Sequence, residues 1–388
     1  MIIKGKRALA YVERVHDIKP IENADNIELA HILGWTLIVK KGEFKDGDKA
    51  VYIEIDSQVP EIEQFEFLRQ KHFKVGTYKL NKFKVVSQGL ALPLTSFPEL
   101  GDINIGEDVT EKLGITYSNI EDNTRKGNNN DLTIQSLKSR KQKLFNNSII
   151  KWLMKRYWGK KLVILLFSKK KDKPLPFPIH LTSKTDEERI ENLPFLLGTG
   201  PYVVTEKIDG SSATYAIEKK HFNKFEFYVC SRNIRQKPES QPCFYDKNIY
   251  WEMAIKYDIK NRMIKMFKKL NCKKSLVIQG EIVGKGVQQK TYGFTGRDFY
   301  VFNLKVDGER KPSLEAKEIV NLYDFKHVPI INTISKLPET MDEIKLCANG
   351  YSLIGNGISI REGLVYRSLD GKQSFKNVSI DYLLEKHN

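Results

Sequence analysis

The sequence contains few cysteines and no long apolar run, and each shortage excludes a class of protein. Four cysteines occur among 388 residues and none forms a Cys-x-x-Cys pair, which argues against a zinc ribbon or a disulfide framework and fits a reducing compartment. The longest apolar run, Leu162 to Phe167, is far shorter than the roughly 20 residues needed to cross a bilayer. The segment from Met1 to Arg7 lacks the apolar centre of a signal peptide. We therefore expect an intracellular protein, in the cytoplasm or nucleus, that is neither secreted nor stably inserted in a membrane.

Acidic residues are scarce in one part of the chain. The whole chain carries a net charge of +16, which favours a polyanionic partner, with nucleic acid ahead of an acidic membrane. Between Lys138 and Lys173, thirteen Lys or Arg residues accompany one acidic residue, Asp172, so this segment accounts for most of the net charge. The apolar spacing from Ser136 to Tyr157 predicts a helix. We interpret residues 119–180 as a basic helical linker.

Three roles remain open for this linker. It can hold nucleic acid through salt-sensitive contacts that do not depend on base sequence. It can also lie on a membrane surface as a basic amphipathic helix, or serve as a solvated connector. The first role predicts that cations of the linker contact phosphates, and the candidates are Lys155, Arg156, Lys160 and Lys161.

Residues 1–118 are expected to form an all-β domain. Short alternating or apolar runs, separated by turn signals such as Lys45-Asp46-Gly47-Asp48, predict five strands near residues 8–15, 36–40, 50–55, 78–86 and 89–94. Five such strands fit a small barrel of the oligonucleotide-binding (OB) type. Basic and aromatic residues interleave around Lys74 and Lys79, a mixture that suits base stacking and phosphate contact. The alternative is that these aromatic residues form core and the lysines a solvated face.

The second half, residues 181–388, is expected to mix helices and strands. Strands are predicted near 225–230, 275–283, 298–304 and 363–367, and helices near 249–269, 316–323 and 380–385. Thr185 to Arg189 has the pattern of a helix N-cap that leads into a short helix. No internal repeat and no mononucleotide-binding glycine loop occurs. Two domains joined by the linker agree with a chain longer than one core usually supports.

The stretch Thr205-Glu206-Lys207-Ile208-Asp209-Gly210-Ser211-Ser212 is the first candidate for chemistry. Apolar runs at 201–204 and 213–217 flank it, and Asp209-Gly210 is a turn signal, so the pattern predicts a hairpin with Lys207 at its mouth. A nucleophilic lysine must be neutral, which requires desolvation or nearby cations that lower its pKa. The alternative is a surface hairpin whose lysine points into water.

Further motifs follow in the second half, near predicted strand ends. They are Ser231-Arg232-Asn233, Gly280-Glu281-Ile282-Val283-Gly284, Phe299-Tyr300-Val301-Phe302-Asn303, Glu362-Gly363-Leu364-Val365-Tyr366-Arg367 and Ser374-Phe375-Lys376. In this order, with Lys207-Ile208-Asp209-Gly210 ahead of them, they resemble the covalent nucleotidyltransferase superfamily of ligases and capping enzymes. The sequence Glu-Lys-Ile-Asp-Gly-Ser-Ser is similar to the nucleophile motif of RNA ligases.

The N-terminal half resembles one group within that superfamily, the Naegleria-type RNA ligases. The segments 20–30, 40–44, 52–57 and 86–94 are similar to the OB-type barrel that precedes the catalytic domain in this group. The resemblance implies an α+β fold with three parts: an OB-like β-barrel at 1–118, the basic helical linker at 119–180, and at 181–388 a nucleotidyltransferase domain of the ligase type, with ATP-grasp-like antiparallel sheets and helices.

The same resemblance implies an ATP-dependent RNA ligase that uses Mg²⁺ or Mn²⁺. Lys207 would attack the α-phosphate of ATP, and the lysyl-adenylate would pass to an RNA 5′-phosphate, which a 3′-hydroxyl then attacks. Glu362 would hold the metal through water, Phe302 would stack on adenine, and Lys376 would meet the α-phosphate. The full set of implied nucleotide-binding residues is Arg189, Glu206, Asp209, Gly210, Arg232, Glu281, Phe302, Glu362 and Lys376.

Two features bear on the alternatives, which are an mRNA guanylyltransferase, a DNA ligase, or an inactive RNA-binding relative. DNA ligases and capping enzymes carry a barrel after the catalytic domain, and only twelve residues follow Lys376 here. An inactive relative has no chemical need for Lys207 together with Glu281, Glu362 and Lys376. The family usually has a second lysine two residues before Lys376, where this chain has Ser374, so a role for Lys372 stays open. We expect a monomer that acts on RNA.

Overall fold

The computed structural model describes residues 1–3, 6–83, 85–117, 175–237, 248–288 and 291–387. The chain divides into two compact units. The described parts of the first unit are residues 1–55, 76–110 and 175–387, and those of the second are 56–75 and 111–117. The expected linker helix and the linker candidates Lys155, Arg156, Lys160 and Lys161 lie outside the described residues. The three-part division of the chain stays a prediction.

The N-terminal segment is all-β, as expected, with short strands. These are β1 Ile2–Ile3, β2 Lys6–Arg7, β3 Ala10–Arg14, β4 His16–Pro20, β5 Ile27–Ile32, β6 Trp35–Lys40, β7 Lys49–Ile53, β8 Ser57–Gln58, β9 Lys74–Val75, β10 Thr77–Leu80, β11 Val85–Gln88, β12 Leu90–Pro93 and β13 Thr116–Tyr117. In the first unit they pair as β1-β2, β12-β7-β3, β4-β5-β6 and β10-β11. The second unit contains β13-β8-β9 and a 3-10 segment, Glu63–Lys71.

Strand β6 shows why this segment folds as a sheet. Alternate residues of β6 are buried, beginning with Trp35, so one face of the strand meets the core. The sequence prediction missed β4 and β5, which pair with each other and with β6. The expected single strand at 78–86 is two antiparallel strands, β10 and β11, with the 3-10 turn Asn81–Phe83 between them.

The described residues of the C-terminal segment form two sheets and five helices. Its strands are β14 Leu175–Pro176, β15 Glu188–Arg189, β16 Tyr202–Lys207, β17 Ser211–Lys219, β18 Phe225–Ser231, β19 Ile234–Arg235, β20 Ser275–Gly284, β21 Arg297–Val306, β22 Glu309–Arg310, β23 Lys326–His327, β24 Ile330–Ile334, β25 Gly363–Ser368 and β26 Ser374–Val378. Its helices are α1 Ile249–Lys256, α2 Ile259–Lys269, α3 Ser313–Asn321, α4 Met341–Cys347 and α5 Ile380–His387. The larger sheet has the order β14-β19-β18-β17-β20-β21-β22, with β23 also on β21, and the smaller has the order β15-β26-β25-β16-β24.

The two strands that flank the lysine motif do not form the expected hairpin. Strand β16 pairs with β24 and β25 in the smaller sheet, whereas β17 pairs with β18 and β20 in the larger sheet. The prediction was wrong because a turn signal between two apolar runs does not specify which strands pair. Residues 208–210 therefore carry the chain from one sheet to the other, with Lys207 at the crossing.

Several helix predictions need correction. The expected helix at 249–269 is two helices, because Asp258 adopts the left-handed conformation between α1 and α2. Thr185 does not cap a helix: its hydroxyl bonds the Ser212 hydroxyl at 2.7 Å, and Glu188–Arg189 is a strand followed only by a 3-10 turn, Ile190–Asn192. Helix α4 was missed, although Thr340 and Glu343 form a capping box at its start.

The N-terminal and C-terminal segments share buried contacts within the first unit. Three residues from the C-terminal end of the chain, Val378, Tyr382 and Leu383, pack into the same apolar cluster as the barrel residues. Trp35 of that cluster donates a hydrogen bond from Nε1 to Asn192 Oδ1 at 2.7 Å. Because both partners are almost fully buried, this bond ties the N-terminal segment to the C-terminal segment. No helix in the described part of the chain is long and apolar enough to span a membrane.

Candidate active site

Lys207 is the last residue of β16, and two acidic residues from distant parts of the chain, Glu362 and Glu281, act on it. Its Nζ lies 2.7 Å from Oε2 of Glu362, the residue that precedes β25. Glu281 comes from β20 of the larger sheet, where Ser212 is its register partner. The Lys207 side chain is 26% exposed, so the amine is enclosed but reachable from solvent. The structure thus brings together three residues that are separated by up to 155 positions in sequence.

The electrostatics of this group favour a charged Lys207. Burial lowers the pKa of Lys207, but the nearby carboxylates of Glu362, Glu281 and Asp209 outweigh it and raise the pKa. Burial, together with Glu362 and Asp209, raises the pKa of Glu281 to about 8, against the opposing effect of Lys207. The carboxylates of Glu362 and Asp209 hold the proton on Lys207, so the uncharged amine stays an expectation for the reacting complex.

The crossing after Lys207 is held by two tyrosines. The backbone N–H of Asp209 donates to the Tyr292 hydroxyl at 2.8 Å, and the Tyr382 hydroxyl of α5 is hydrogen-bonded to the Asp209 side chain. Gly210 passes so close to β20 that a Cβ would lie 2.3 Å from the Ile282 carbonyl oxygen. The glycine of the motif is therefore required by close packing against the next sheet.

Several cations act on Lys376, another predicted site residue. Lys376 on β26 is the parallel register partner of Arg189 on β15. Burial, followed by the charges of Arg7, Arg189 and Lys207, lowers the pKa of Lys376 to about 7. Arg7 belongs to the N-terminal segment. These cations leave the site attractive to phosphate.

Two further predicted residues occupy defined places. Arg232 forms a salt bridge with Asp186, and its contact with the nucleotide stays a prediction. Phe302 on β21 is half-buried and packs against an apolar cluster that includes Ile208, Tyr292 and Val283. An aromatic ring on an apolar cluster next to the lysine crossing is a suitable surface for a base.

Glu206, another predicted nucleotide-binding residue, is hydrogen-bonded to a turn of the protein itself. Successive residues of a strand face opposite sides, so Glu206 and Lys207 point away from each other. The Glu206 carboxylate accepts a bond from the Leu353 N–H at 2.8 Å and another from the Ser352 hydroxyl. It is 2% exposed and anchors the 352–353 turn, and its assignment to the nucleotide stays a prediction.

The donor set beside Lys207 fits a hard divalent cation. Glu362, Glu281 and Asp209 offer carboxylate oxygens, which Mg²⁺ and Mn²⁺ prefer. Within the described ranges, no three His, Cys, Asp or Glu side chains group as a cage for a metal ion. Mg²⁺ commonly keeps several waters and uses one or two carboxylates plus substrate phosphates, and these residues suit that mode.

The predicted nucleic-acid contacts are only partly described. Lys74 is half-buried on β9, and Lys79 is exposed on β10. Phe73, one of the aromatic residues taken as interleaved with the lysines, is 4% exposed and belongs to the core. These contacts stay predictions.

Sequence reasoning missed three residues that the structure places at the site. Tyr292 and Tyr382 hold Asp209, and Arg7 acts on Lys376. A lone tyrosine or arginine carries no local signal for such a role. Asp186 lay in a segment that was singled out by resemblance, but its pairing with Arg232 was not foreseen.

Comparison with known proteins identifies the same two parts. A family model described as an OB-fold domain matches residues 9–94, and one described as RNA ligase matches residues 200–379. Among curated proteins, none matches the chain.

Solved structures of an RNA ligase from Naegleria gruberi are similar along nearly the whole chain. A lysine-to-alanine mutant with ATP and Mn is 31% identical, covers 98% of both chains and has a TM-score of 0.72. A glutamate-to-alanine mutant with AMP and Mn is 30% identical, covers 98% of this chain and 99% of that one, and has a TM-score of 0.73. A structure with pyrophosphate is 31% identical, with the same coverage as the second and a TM-score of 0.72.

These matches confirm the expected OB-fold domain and the expected enzyme class. Identity of about a third over nearly the full length of both chains, with the lysine motif inside the matched RNA ligase domain, leaves one family. The chain belongs to the Naegleria-type RNA ligases, ATP-dependent enzymes with an N-terminal OB-fold domain and a C-terminal RNA ligase domain.

Proposed function

We propose that this chain joins an RNA 5′-phosphate to an RNA 3′-hydroxyl, with Lys207 as the covalent nucleophile and ATP as the source of the adenylyl group. The observation that carries the proposal is the placement of the Lys207 amine at the crossing between two sheets, 2.7 Å from Glu362 and facing Lys376. Among the described residues of the predicted site, no other lysine combines a carboxylate at this distance with a position where the chain crosses between the two sheets.

In the first step Nζ of Lys207 forms a bond to the α-phosphorus of ATP, and the bond from that phosphorus to the bridging oxygen breaks. Pyrophosphate leaves with the electron pair. The Lys207 amine must lose its proton before attack. Glu362 and Asp209 favour its charged form, and Glu362, whose Oε2 lies 2.7 Å from Nζ, accepts that proton. A divalent cation, when bound beside Glu362, supplies positive charge that offsets these carboxylates and polarises the α-phosphate. Lys376 stabilises the charge that develops on the phosphate.

In the later steps the adenylyl group moves to the RNA 5′-phosphate, and the 3′-hydroxyl attacks that phosphate and releases AMP. Phe302 supports the adenine, and Arg189 holds a phosphate oxygen. Splitting one displacement into three gives each step a good leaving group.

The test is incubation with ATP labelled at the α-phosphate and magnesium, followed by a denaturing gel. Wild-type protein carries the label, Lys207→Ala carries none, and the surface control Lys336→Ala, exposed by 57%, matches wild type. Labelling with GTP in place of ATP, or an adduct that survives Lys207→Ala, contradicts the proposal. RNAs with a 5′-hydroxyl or a 3′-phosphate should not be sealed.

The lysines that contact RNA outside the active site are part of the same proposal. Lys74, Lys79 and the linker cations Lys155, Arg156, Lys160 and Lys161 bind the RNA backbone, and the enzyme acts as a monomer. Neutralising the four linker cations should weaken RNA binding and reduce the slope of binding against salt. An unchanged slope contradicts the assignment of the linker, and light scattering tests the monomer.

A further inference from the structure

One end of the larger sheet carries a group of lysines away from Lys207. They lie in the last turn of helix α2, in the turn that joins α2 to β20, and in the hairpin turn between β17 and β18. All are exposed, and none forms a salt bridge with another residue in the described part of the chain. We name this surface the far-end lysine cluster, which consists of Lys219, Lys224, Lys268, Lys269, Lys273 and Lys274.

Two contacts join the three pieces of the cluster. The N–H of Lys219 donates to the carbonyl oxygen of Lys274 at 2.9 Å, which links the hairpin turn to the turn before β20. The ring of Phe267 in α2 meets the ring of Phe225 at the start of β18 edge to face, with centroids 5.0 Å apart. The cluster is therefore one surface that is fixed to the sheet.

An aromatic side chain stands at the tip of the hairpin turn. Phe222 is 94% exposed and has a left-handed backbone, with φ at 59°. That conformation is unfavourable for a bulky residue, and a ring this exposed gains almost nothing from packing within the chain. An exposed aromatic ring between Lys219 and Lys224 in sequence suits a base that stacks on the ring while neighbouring phosphates meet the lysines.

The acidic residues near the cluster are already engaged. Asp307 accepts hydrogen bonds from the three successive backbone N–H groups of residues 273–275, at 2.7 to 2.9 Å. Glu218 and Glu226 both pair with Lys220, which is for that reason left out of the cluster. An excess of positive charge remains on this surface, and a polyanion is the partner that relieves the repulsion.

The cluster lies at the opposite end of β17 from the active site. Ser212 is the register partner of Glu281, and Glu218, six residues later on β17, is the register partner of Ser275. At about 3.4 Å for each residue, the two pairs are about 20 Å apart along the sheet. A stacked RNA strand advances roughly 3.4 Å for each nucleotide, so about six nucleotides cover this distance.

We propose that the far-end lysine cluster and Phe222 bind an unpaired strand of the RNA substrate, about six nucleotides from the end that is joined. The inference rests on the proposed function of Lys207, and it assigns a second RNA surface to the C-terminal segment. The lysines contact phosphates without regard to base sequence, and Phe222 stacks on a base. The surface increases the affinity for long RNA and takes no part in the chemistry at Lys207.

The competing explanation is that the lysines serve only the fold. Lys268 and Lys269 occupy the last turn of α2, where positive charge stabilises the C-terminal end of the helix dipole. This effect accounts for two members of the cluster, but not for the lysines of the hairpin turn or for Phe222. If it is the whole explanation, neutralising Lys268 and Lys269 lowers the melting temperature and leaves RNA binding unchanged.

The experiment measures the affinity for single-stranded RNAs of 24 and 3 nucleotides at several salt concentrations, together with the melting temperature. For Lys268→Gln with Lys269→Gln, we expect the affinity for the long RNA to fall roughly 3- to 10-fold, and the slope of log affinity against log salt to fall by about 1 to 1.5. The short RNA cannot reach the cluster from Lys207 and should bind as to wild type. The control, Lys317→Gln with Lys336→Gln, removes two exposed lysines elsewhere and should change neither affinity.

Phe222 is tested by two substitutions that differ in the ring. Phe222→Leu keeps an apolar side chain without a ring, so the affinity for the long RNA should fall roughly 5-fold or more while the salt slope stays unchanged. Phe222→Tyr keeps the ring and should match wild type. Wild-type affinity in Phe222→Leu would overturn the assignment of this ring to a base.

Wild-type affinity and slope in Lys268→Gln with Lys269→Gln would overturn the proposal. If that variant also loses binding to vesicles with phosphatidylserine that wild type binds, the surface belongs to an acidic membrane. Should the variant melt too low to assay, Lys273→Gln with Lys274→Gln, outside the helix, gives the same test with the same outcomes. RNA binding needs no adduct, so failure of wild type to label Lys207 would refute the proposed function separately.

Discussion

Asn192→Ala should be among the most damaging single substitutions in the first unit. The Asn192 side chain is 5% exposed and makes four hydrogen bonds. Its Oδ1 accepts from Tyr11 and Trp35 at 2.9 and 2.7 Å, and its Nδ2 donates to Glu54 and Glu188 at 2.9 and 2.8 Å. Alanine removes all of these bonds from the junction between the barrel and the C-terminal segment.

The magnitude follows from the groups that remain. A buried polar group that loses its partner costs about 1–3 kcal/mol. The indole N–H of Trp35 loses the acceptor described for it, and the Tyr11 hydroxyl keeps only a 3.4 Å contact to Glu54. Glu54 also loses a donor. We expect a loss of about 3–5 kcal/mol, a large part of the roughly 5–15 kcal/mol by which native proteins are stable.

The assay is urea denaturation of wild type and variant, with the slope of each transition compared as well as the midpoint. The matched control is Asn261→Ala, where an exposed amide gives up one bond to Asp258 at 2.8 Å and the change should stay within about 0.5 kcal/mol. If Asn192→Ala lowers the free energy of unfolding by less than about 1 kcal/mol, the view that this buried network holds the barrel to the C-terminal segment is refuted. The variant should also label Lys207 more slowly, since β15 is no longer fixed.

Three further predictions concern the site and its sheets. Gly210→Ala should abolish most Lys207 labelling, because the new methyl would lie 2.3 Å from a backbone oxygen of β20. The control, Gly296→Ala, has open space around it and should match wild type. Equal labelling in both variants would contradict the packing argument. Tyr382→Phe should slow Lys207 labelling about 3- to 10-fold, because it releases Asp209. The control, Tyr215→Phe, removes an equally buried hydroxyl bonded at 2.8 Å in the remote core, so it should cost similar stability, about 1 kcal/mol, without slowing the labelling. Indistinguishable labelling rates in the two variants would remove Tyr382 from the site. Burial lowers the pKa of His327 to about 4, so between pH 6.5 and 4 the unfolded chain binds a proton that the folded chain does not. The free energy of unfolding should therefore fall by up to about 3 kcal/mol as the pH drops through that window. His327→Gln should flatten the fall, which denaturation at several pH values can check.

Local patterns in the sequence were enough to select candidate residues for the chemistry and to indicate the family. The turn signal at Asp209-Gly210, the glycine after Glu362 and the apolar run around Glu281 identified strand ends, and the order of the motifs pointed to one family. Such signals are short-range, because they depend on backbone preference and on alternation along a single strand. They do not specify which strands pair with each other. They also failed to indicate strands β4 and β5 and the division of the α1–α2 segment at Asp258.

The sequence by itself determined the OB-fold domain ahead of the RNA ligase domain and the enzyme class, and it predicted Lys207 as the nucleophile with Glu281 and Glu362 beside it. Only the tertiary structure decided that β16 and β17 belong to different sheets, so that Lys207 stands at a crossing and Gly210 packs against β20. It also decided that Glu206 faces away from its neighbour and that Arg7 of the barrel acts on Lys376. The physical reason is that strand pairing and the burial of charge depend on contacts between residues far apart in the chain, whose free energies no local run of amino acids contains.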